Sequence, residues 1–484
     1  MEIPEKVKNI IETLEGSGFE AYAVGGCVRD ILLGRTPKDW DVTTNAAPEK
    51  IQELFPDSFY ENRFGTVGVK TESEDPDLAV VEVTTFRAES AYSDMRHPDE
   101  VRFVKTLGED LARRDFTVNA MALQPATSDQ RPATRIIDPF GGQNDLEAKL
   151  IRAVGNPEER FKEDALRMLR AVRLATALDF VIEKETLAAI QKNASSLKEI
   201  SQERIRDEFT KLVMTDKAAD GIRLLEEAGL LACVLAELRE GIDVAQNLHH
   251  IYTVFEHNVR ALEYTARKKY SLQVRLASLL HDVGKPQTKR GEGKYATFYG
   301  HDVVGGRMTE KILSRLRFGS QIVDKVTLLV RYHLFYYNVG EVTESSVRRL
   351  LKNVGPENIE DLVKVREADR IGSGVPKAVP YKLRHFKYMV EKVSKDPISA
   401  KMLAIDGNDL MKILAIEPGP KIGLILNALL GEVLEDPAKN TIERLTERAK
   451  EFDTQSADEL KKYLHIKEKK IQEEEEATRK KFYV

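Results

Sequence analysis

Gly25-Gly26-Cys27-Val28-Arg29-Asp30, followed by Asp39-Trp40-Asp41, is the stretch of sequence that decides the predicted fold. The segment before it, Glu20–Val24, predicts a strand, and the glycine pair is predicted to open a helix. Backbone amides at such a turn suit a triphosphate, and Arg29 would add positive charge. Paired glycines between a strand and a helix are also common for structural reasons. The glycine turn therefore needs further support before it indicates function.

The two aspartates on either side of Trp40 provide that support. In a strand, residues i and i+2 point to the same face, so the carboxylates of Asp39 and Asp41 are expected to converge. Two like charges so close are costly unless a cation neutralises them, and Mg²⁺ held by carboxylates and substrate phosphates is the natural solution. A solvated strand end would explain an isolated pair of this kind. Glu82, between two valines on another predicted strand, adds a third acid and favours the metal site.

The organisation of the chain predicts an α+β fold. With 484 residues it is too long for one hydrophobic core and suggests about three or four domains. Strands and helices alternate up to residue 148, and the helical period dominates after it. We therefore expect a mixed domain at 1–148 and three all-helical domains at 149–238, 239–375 and 376–484. The further predicted strands are Trp40–Thr43, Thr66–Thr71 and Leu78–Thr84, and the charge run Lys467–Lys481 predicts a solvated helix or a frayed tail.

Charged residues recur at every third position of the predicted helix through Glu163–Arg173, where Asp164 and the three arginines Arg167, Arg170 and Arg173 spiral across one half. The apolar residues between them cluster on the other half, so the helix is amphipathic. The simplest explanation is a solvated face with an ion pair between Asp164 and Arg167. Only a wider context would favour a functional role for these residues.

That context comes from a resemblance to the class II nucleotidyltransferases. The stretches Gly25–Asp30, Asp39–Asp41 and Arg113–Ala120 resemble successive motifs of this family, which includes CCA-adding enzymes, A-adding enzymes and bacterial poly(A) polymerases with a DNA-polymerase-β-like palm. The resemblance implies that Asp39 and Asp41 hold catalytic Mg²⁺ and that Glu82 is the third carboxylate. The nucleotide-binding residues that we expect are Gly25, Gly26, Arg29, Arg114, Asp115, Asn119, Asp164, Arg167, Arg170 and Arg173.

The resemblance also assigns two specificity elements. Glu163-Asp164-Ala165-Leu166-Arg167 is similar to the family's nucleotide-selecting motif, in which Asp and Arg act as an amino-acid template. Arginine donates and aspartate accepts hydrogen bonds, so one pair can match the Watson–Crick edge of cytosine or adenine. The polar segment Glu89–Asp99 is predicted to be the mobile loop that helps to switch specificity from C to A. Downstream, Glu203–Phe209 resembles the next family motif and supports a domain of neck helices.

A second group of residues, rich in histidine, resembles the HD phosphohydrolase pattern. It consists of His257, His281, Asp282, His301, His333 and Asp369. A buried core histidine would explain any one position, but the ordered set with its adjacent His-Asp dyad favours a metal site. Mixed imidazole and carboxylate ligation suits transition metals such as Mn²⁺, Fe²⁺ or Ni²⁺. In the family such domains hydrolyse phosphomonoesters or 2′,3′-cyclic phosphates, or only bind RNA.

Composition limits the compartment and the partners. Apolar residues make up 42% of the chain and charged residues 32%, as in ordinary soluble proteins. The N-terminus shows no secretion signal, and no apolar run approaches the ~20 residues that cross a bilayer. Cys27 and Cys233 are too few for a disulfide framework, so we expect a cytoplasmic protein without membrane contact. The net charge of −5 does not exclude nucleic acid, because a local basic face can bind phosphate.

These expectations converge on the addition of C and A to the 3′ end of tRNA from CTP and ATP. The RNA 3′-OH would attack the α-phosphate at a two-metal site, and pyrophosphate would leave. Two alternatives stay open. One is an A-adding enzyme or poly(A) polymerase that uses ATP only, since both subfamilies contain every motif found here. The other is an HD metal-dependent phosphohydrolase that acts on RNA ends. The oligomeric state is not predicted by any of these patterns.

Overall fold

The computed structural model describes residues 3–62, 65–90, 100–126, 133–246, 251–335, 337–340, 342–374 and 378–482. The chain divides into two units, Met1–Ala236 and Glu237–Val484. The first unit combines strands with helices, and the elements of the second are helices in its described part. The predicted α+β fold is therefore confirmed. The finer division into four domains stays a prediction.

Strands of the first unit form one large sheet and two small ones. The strands are β1 Ala21–Val24, β2 Asp41–Thr44, β3 Ser58–Asn62, β4 Thr66–Lys70, β5 Val80–Thr85, β6 Arg87–Ser90, β7 Glu100–Phe103, β8 Ala122–Gln124, β9 Arg135–Ile137, β10 Leu150–Ile151 and β11 Val181–Ile182. The large sheet has the order β3-β4-β5-β2-β1-β8-β9. Within it β2 and β5 run parallel, and the other neighbours are antiparallel. The parallel pair brings together two segments about 40 residues apart in sequence.

Helices cover this sheet and then continue the first unit. They are α1 Glu5–Gly16, α2 Gly26–Leu32, α3 Pro48–Leu54, α4 Leu107–Ala112, α5 Gly142–Glu147, α6 Pro157–Glu163, α7 Leu166–Leu178, α8 Lys184–Asn193, α9 Gln202–Val213, α10 Ala218–Glu227 and α11 Leu231–Val234; α12 Ala236–Arg239 begins at the last residue of the unit. The apolar face of α1 packs against β1 and β2, as its spacing of buried residues predicts. A cluster of buried residues including Phe86, Leu107 and Leu111 joins α4 to the sheet.

Two local expectations are wrong. Strand β2 begins at Asp41, so Asp39 lies in a bend before it and the strand argument does not apply to this residue. Asp164 does not share a helix with the three arginines, because α6 ends at Glu163 and α7 begins at Leu166. The side chain of Asp164 instead accepts a hydrogen bond from the Leu166 amide, which is the behaviour that makes aspartate common at helix starts.

The predicted mobile loop lies largely outside the described residues. Glu89 and Ser90 belong to β6, which pairs with β7, and 91–99 are not described.

The predicted charge run Lys467–Lys481 lies in the long helix Ala457–Phe482. Of the two expected forms, a helix or a frayed tail, the structure has the helix. Among the described residues, none of the helices is long and apolar enough to cross a membrane.

The second unit is built from helices that pack both on their neighbours in sequence and on helices more distant in sequence. They are α13 Val254–Arg267, α14 Leu272–Leu280, α15 Lys285–Thr288, α16 His301–Arg315, α17 Ser320–Tyr332, α18 Glu344–Val354, α19 Ile359–Gly372, α20 Tyr381–Lys392, α21 Gly407–Leu414, α22 Pro420–Glu435, α23 Ile442–Asp453 and α24 Ala457–Phe482. α13 packs on α14 and α19, and α16 packs on α17. Helix α22 begins at Pro420, directly after Gly419.

Gly284 is a point of close backbone contact in this unit. A Cβ atom there would lie 2.5 Å from the His301 carbonyl oxygen and 2.6 Å from the Gly305 nitrogen. We expect Gly284→Ala to destabilise the second unit by roughly 1–3 kcal/mol, because α16 must move away. The measurement is the melting temperature, which is determined from the change of the circular dichroism signal on heating. Gly305→Ala is the matched control, since its Cβ would meet its nearest neighbours at an ordinary 3.5 Å. Equal melting temperatures for the two variants would contradict the packing argument.

Candidate nucleotide and metal sites

The carboxylates of the first unit meet at the junction of β2 and β5. Asp41 is the direct register partner of Glu82 on the parallel neighbour strand, so both side chains lie on the same face of the sheet. Val81 and Val83, on either side of Glu82, are fully buried and point to the opposite face. Asp39 is exposed in the bend before β2. Trp40 is buried, as expected for a side chain directed away from the carboxylates.

The glycine turn lies against this carboxylate pair. Gly25 has a φ of +81°, a conformation that favours glycine. A Cβ atom at Gly25 would lie 3.0 Å from Nη1 of Arg114 and 3.4 Å from Oδ2 of Asp41. A side chain would therefore fill the space between the two charged groups. The structure brings together residues from the turn, from β2 and from the Arg-Arg-Asp segment, which are far apart in sequence.

A chain of hydrogen bonds connects most of the other predicted nucleotide-binding residues. Arg29 Nη1 donates to Asn119 Oδ1 at 2.7 Å, and Asn119 Nδ2 donates to Asp115 Oδ1 at 3.2 Å. The second carboxylate oxygen of Asp115 accepts hydrogen bonds from Arg170 Nε at 2.8 Å and Nη2 at 2.7 Å. Side chains from α2, from the segment after α4 and from α7 thus form one polar surface.

Charge rather than burial governs Asp115. Burial alone would raise its pKa, but the guanidinium groups of Arg170 and Arg167 outweigh this effect and lower the pKa to about 2. Asp115 in turn raises the pKa of Arg170 above its usual value. Both groups are therefore ionised at neutral pH.

The side chains of Asp164 and Arg167 both have charged partners, where an ion pair between the two was only the simplest explanation of their spacing. Asp164 Oδ2 lies 2.7 Å from Arg204 Nη2. Arg167 Nη1 lies 2.5 Å from Glu163 Oε2, and its Nη2 donates to the Arg113 carbonyl oxygen at 3.2 Å. Each of the two predicted base-reading side chains is thus anchored by another charged residue.

Three charged residues near this surface carried no assigned role in the sequence analysis. They are Glu163, Arg204 and Glu208. Glu208 is buried on α9, and its carboxylate oxygens lie 2.5 Å from Arg173 Nε and 3.8 Å from Arg170 Nη1. Arg204 and Glu208 both fall within the Glu203–Phe209 motif, so this motif is the sequence signal that could have identified them. Their contacts follow from the packing of α9 against α7, which sequence spacing does not reveal.

The six predicted HD residues converge in the second unit, where all of them are buried. Two overlapping groups, His257-His281-Asp282 and Asp282-His301-His333, each have ligand atoms within 4.8 Å of one another. Asp282 is shared by both groups. The last member, Asp369, lies 3.3 Å through Oδ1 from His257 Nε2. The donors come from α13, α19 and the ends of α14, α16 and α17.

The imidazole rings are oriented for metal ligation. Nδ1 of His281, His301 and His333 donates to the backbone carbonyl three residues earlier, at 2.8, 2.6 and 2.7 Å respectively. This bond fixes the tautomer and leaves Nε2 directed into the cluster. Nε2 of His301 and of His333 is buried without a hydrogen-bond partner in the described part of the chain. Such orphaned acceptors fit a cation.

Protons and a cation compete for the same cluster. Burial lowers the pKa of His333 to about 4, so its ring is neutral at pH 7. For His281 burial acts in the same direction, but Asp282 and Asp369 outweigh it and raise the pKa to about 10. Lys285, with Nζ 2.6 Å from Asp282 Oδ2, adds a further positive charge. Binding of a divalent cation would therefore release a proton.

Three domain families match the chain in sequence. Residues 21–152 match the poly(A) polymerase head domain, residues 179–241 match the probable RNA and SrmB-binding site of polymerase A, and residues 254–373 match the HD domain. Together with the fold, these matches define a nucleotidyltransferase that carries an HD domain. The predicted HD domain is thereby confirmed.

Comparisons over the whole chain narrow this class. The CCA-adding enzyme of Limosilactobacillus reuteri is 34% identical over 452 residues, which are 93% of this chain and 96% of the relative. That of Lactobacillus helveticus is 50% identical over 208 residues, 43% of this chain and 49% of the relative. The crystal structure of Bacillus stearothermophilus CCA-adding enzyme in complex with CTP matches with a TM-score of 0.67 and 29% identity, covering 94% of this chain and 98% of that one. The chain belongs to the CCA-adding enzyme family.

Asp115→Asn tests the charge network. The lowered pKa of Asp115 contributes stability that is present above its unfolded value near 3.8 and is lost as the pH falls towards 2. We expect the variant to lose about 2 kcal/mol at pH 7 and progressively less below pH 4. Urea unfolding followed by fluorescence of Trp40, the single tryptophan, measures this in the first unit. Asp179→Asn, at an exposed pair with Lys217, is the matched control and should change little. A pH-independent loss in Asp115→Asn would show that the charge is not the cause.

Proposed function

We propose that this chain adds C and A to the 3′ end of tRNA, using CTP and ATP. The observation that carries the proposal is the convergence of Asp41, Glu82, Gly25 and Arg114 at the central strands β2 and β5 of the sheet. Membership of the CCA-adding enzyme family over 93% of the chain supports it. The B. stearothermophilus relative is known in complex with CTP, which supports CTP as a substrate of this chain.

Asp39, Asp41 and Glu82 are the residues that would hold Mg²⁺. They offer only oxygen donors, which suit a hard cation that keeps several of its waters. When bound, Mg²⁺ lowers the pKa of the attacking RNA hydroxyl and stabilises the charge that develops on the phosphate. Gly25 leaves room beside Asp41 for the phosphates themselves, because any side chain there would occupy that space.

The arginines supply the remaining charge. Arg114 lies at the glycine turn, and Arg29 and Arg170 lie at the two ends of the hydrogen-bond chain through Asn119 and Asp115. We assign Arg114, Arg170 and Arg173 to the triphosphate and the RNA end, and Arg29, Asp115 and Asn119 to the ribose and phosphates. Because Asp115 stays ionised, this surface keeps one geometry over the working pH range.

Asp164 and Arg167 are proposed to read the base. Each is anchored at one side by Arg204 or Glu163, which restricts the directions in which it can offer hydrogen bonds. A carboxylate acceptor next to a guanidinium donor complements the amino group and ring nitrogen that cytosine and adenine share. Uracil and guanine present a carbonyl in place of that amino group, so they are disfavoured.

The HD cluster is proposed to be a separate hydrolytic centre. Its four histidines and two aspartates suit Mn²⁺, Fe²⁺ or Ni²⁺ better than Mg²⁺, because imidazole is a softer ligand than carboxylate. The substrate that we propose is a phosphomonoester or a 2′,3′-cyclic phosphate at an RNA end. Two unpaired cysteines agree with a reducing cytoplasm as the place of action.

The test of nucleotide addition uses tRNA that lacks its 3′ end. With labelled CTP and ATP supplied separately and together, the chain should add C first and A afterwards. Asp41→Ala should reduce addition by at least roughly a thousandfold, because the cation loses a ligand at the reacting phosphate. The fold and the metal content of the HD cluster should be unchanged. Incorporation of A alone would favour an A-adding enzyme, and near-normal addition by Asp41→Ala would contradict the assigned site.

The test of the HD centre is the double variant His281→Ala Asp282→Ala. It should abolish hydrolysis of a 2′,3′-cyclic phosphate and reduce Ni²⁺ or Mn²⁺ content, while nucleotide addition continues. Asp41→Ala provides the reciprocal control, since it should lose addition and keep hydrolysis. Loss of both activities in a folded variant would mean that nucleotide addition and hydrolysis do not reside in two independent sites.

A further inference from the structure

Asp110 is a buried carboxylate beside the proposed nucleotide site that the proposed chemistry does not use. Its side chain is fully buried in α4. Oδ1 lies 2.8 Å from Arg113 Nη2 and accepts a hydrogen bond from the Arg87 backbone amide at 3.3 Å. Oδ2 accepts hydrogen bonds at 3.4 Å from Thr43 and from Arg114 Nη2. One carboxylate thus joins β2, the start of β6 and the Arg-Arg pair.

The guanidinium of Arg114 lies between this carboxylate and the glycine turn. Its Nη2 contacts Asp110, while its Nη1 lies at the corner where Gly25 approaches Asp41. Thr43 follows Asp41 by two residues on β2, so Asp110 approaches the same face of the sheet that carries the Asp41 carboxylate. Asp110 and Asp41 are therefore two carboxylates that lie near the same guanidinium group, that of Arg114.

Asp110 is a charged partner rather than a neutral one. Its burial would raise the pKa, but Arg113 and Arg114 outweigh burial and lower it. Removing this negative charge would leave Arg114 with Asp41 as the nearest remaining anion described at that corner. An arginine drawn onto a metal-binding carboxylate competes directly with a divalent cation, because both need the same oxygen lone pairs.

We propose that Asp110 is a positioning residue that holds Arg114 on its own carboxylate and so lets Asp41 accept a divalent cation. The inference rests on the proposed nucleotide-addition site and names one residue that tunes it. Asp110 contacts neither the cation nor the nucleotide. Its effect on the reaction passes entirely through the orientation of Arg114.

Direct binding of Mn²⁺ to the full chain tests the proposal without any turnover. Mn²⁺ is paramagnetic and quenches nearby fluorescence, and the single tryptophan, Trp40, stands between the two metal-binding aspartates. Asp110→Asn keeps the size of the side chain and removes its charge. We expect it to raise the dissociation constant for Mn²⁺ on the order of tenfold. The Mg²⁺ concentration needed for half-maximal CTP addition should rise in parallel.

A double-mutant cycle identifies the route of the effect. In an Arg114→Ala background, Asp110→Asn should cause no further change in Mn²⁺ affinity, because the competing cation is gone. Asp145→Asn is the matched control. Asp145 is also a buried aspartate of the first unit and pairs with Arg152, which is outside the proposed site. It should lower stability and leave Mn²⁺ affinity unchanged.

The outcomes separate the inference from the proposed function. Unchanged Mn²⁺ affinity in folded Asp110→Asn, or an equal loss in the Arg114→Ala background, would overturn the role of Asp110. Failure of the unaltered chain to add C and A would instead overturn the proposed function. If Asp110→Asn does not fold, Asp110→Glu retains the charge and should keep the Mn²⁺ affinity of the unaltered chain. A tenfold loss in folded Asp110→Glu would contradict the charge argument.

Discussion

The ion pair between Asp115 and Arg170 is the interaction on which the first unit depends. It joins the segment after α4 to the middle of α7, and through Asn119 it extends to Arg29 on α2. Burying ionised groups costs free energy unless each charge has a partner of opposite sign. Here the partners are also the groups that a nucleoside triphosphate needs. The same contacts that hold the helices to the sheet therefore define the shape and charge of the proposed nucleotide surface.

The two proposed metal sites follow different physical rules. The carboxylates of the first unit lie on two central strands of the sheet and in the bend before one of them, and Glu82 and Asp39 are exposed, so water can share in binding the cation. The HD cluster is buried, and its rings are fixed by backbone carbonyl groups. An exposed all-oxygen site suits a cation that exchanges with the substrate, whereas a buried imidazole site suits a resident one. One chain can hold both without competition for the same ion.

Positioning residues are a feature of the proposed nucleotide site. Glu163 and Arg204 restrain the proposed base-reading pair, Glu208 restrains Arg173, and Asp110 restrains Arg114. Three of the restrained side chains are arginines, whose many conformations would otherwise have to be ordered when the nucleotide binds. Contacts already made in the folded chain reduce that cost. The proposed selectivity for C and A thus depends on residues that do not touch the base.

The sequence by itself determined the class of fold and the family, and it supplied the residues that are proposed for both sites. Periodicity separated the mixed region from the helical one, and spaced motifs identified the family because each needs particular residue types at a short separation. Only the tertiary structure decided which charges meet. It paired Asp164 with Arg204 instead of Arg167, placed Asp39 before β2, and brought Asp110 to Arg114 and Thr43. The physical reason is that these contacts depend on where a helix begins and on which elements pack together. Those features are set by long-range burial, which a local pattern of residues does not contain.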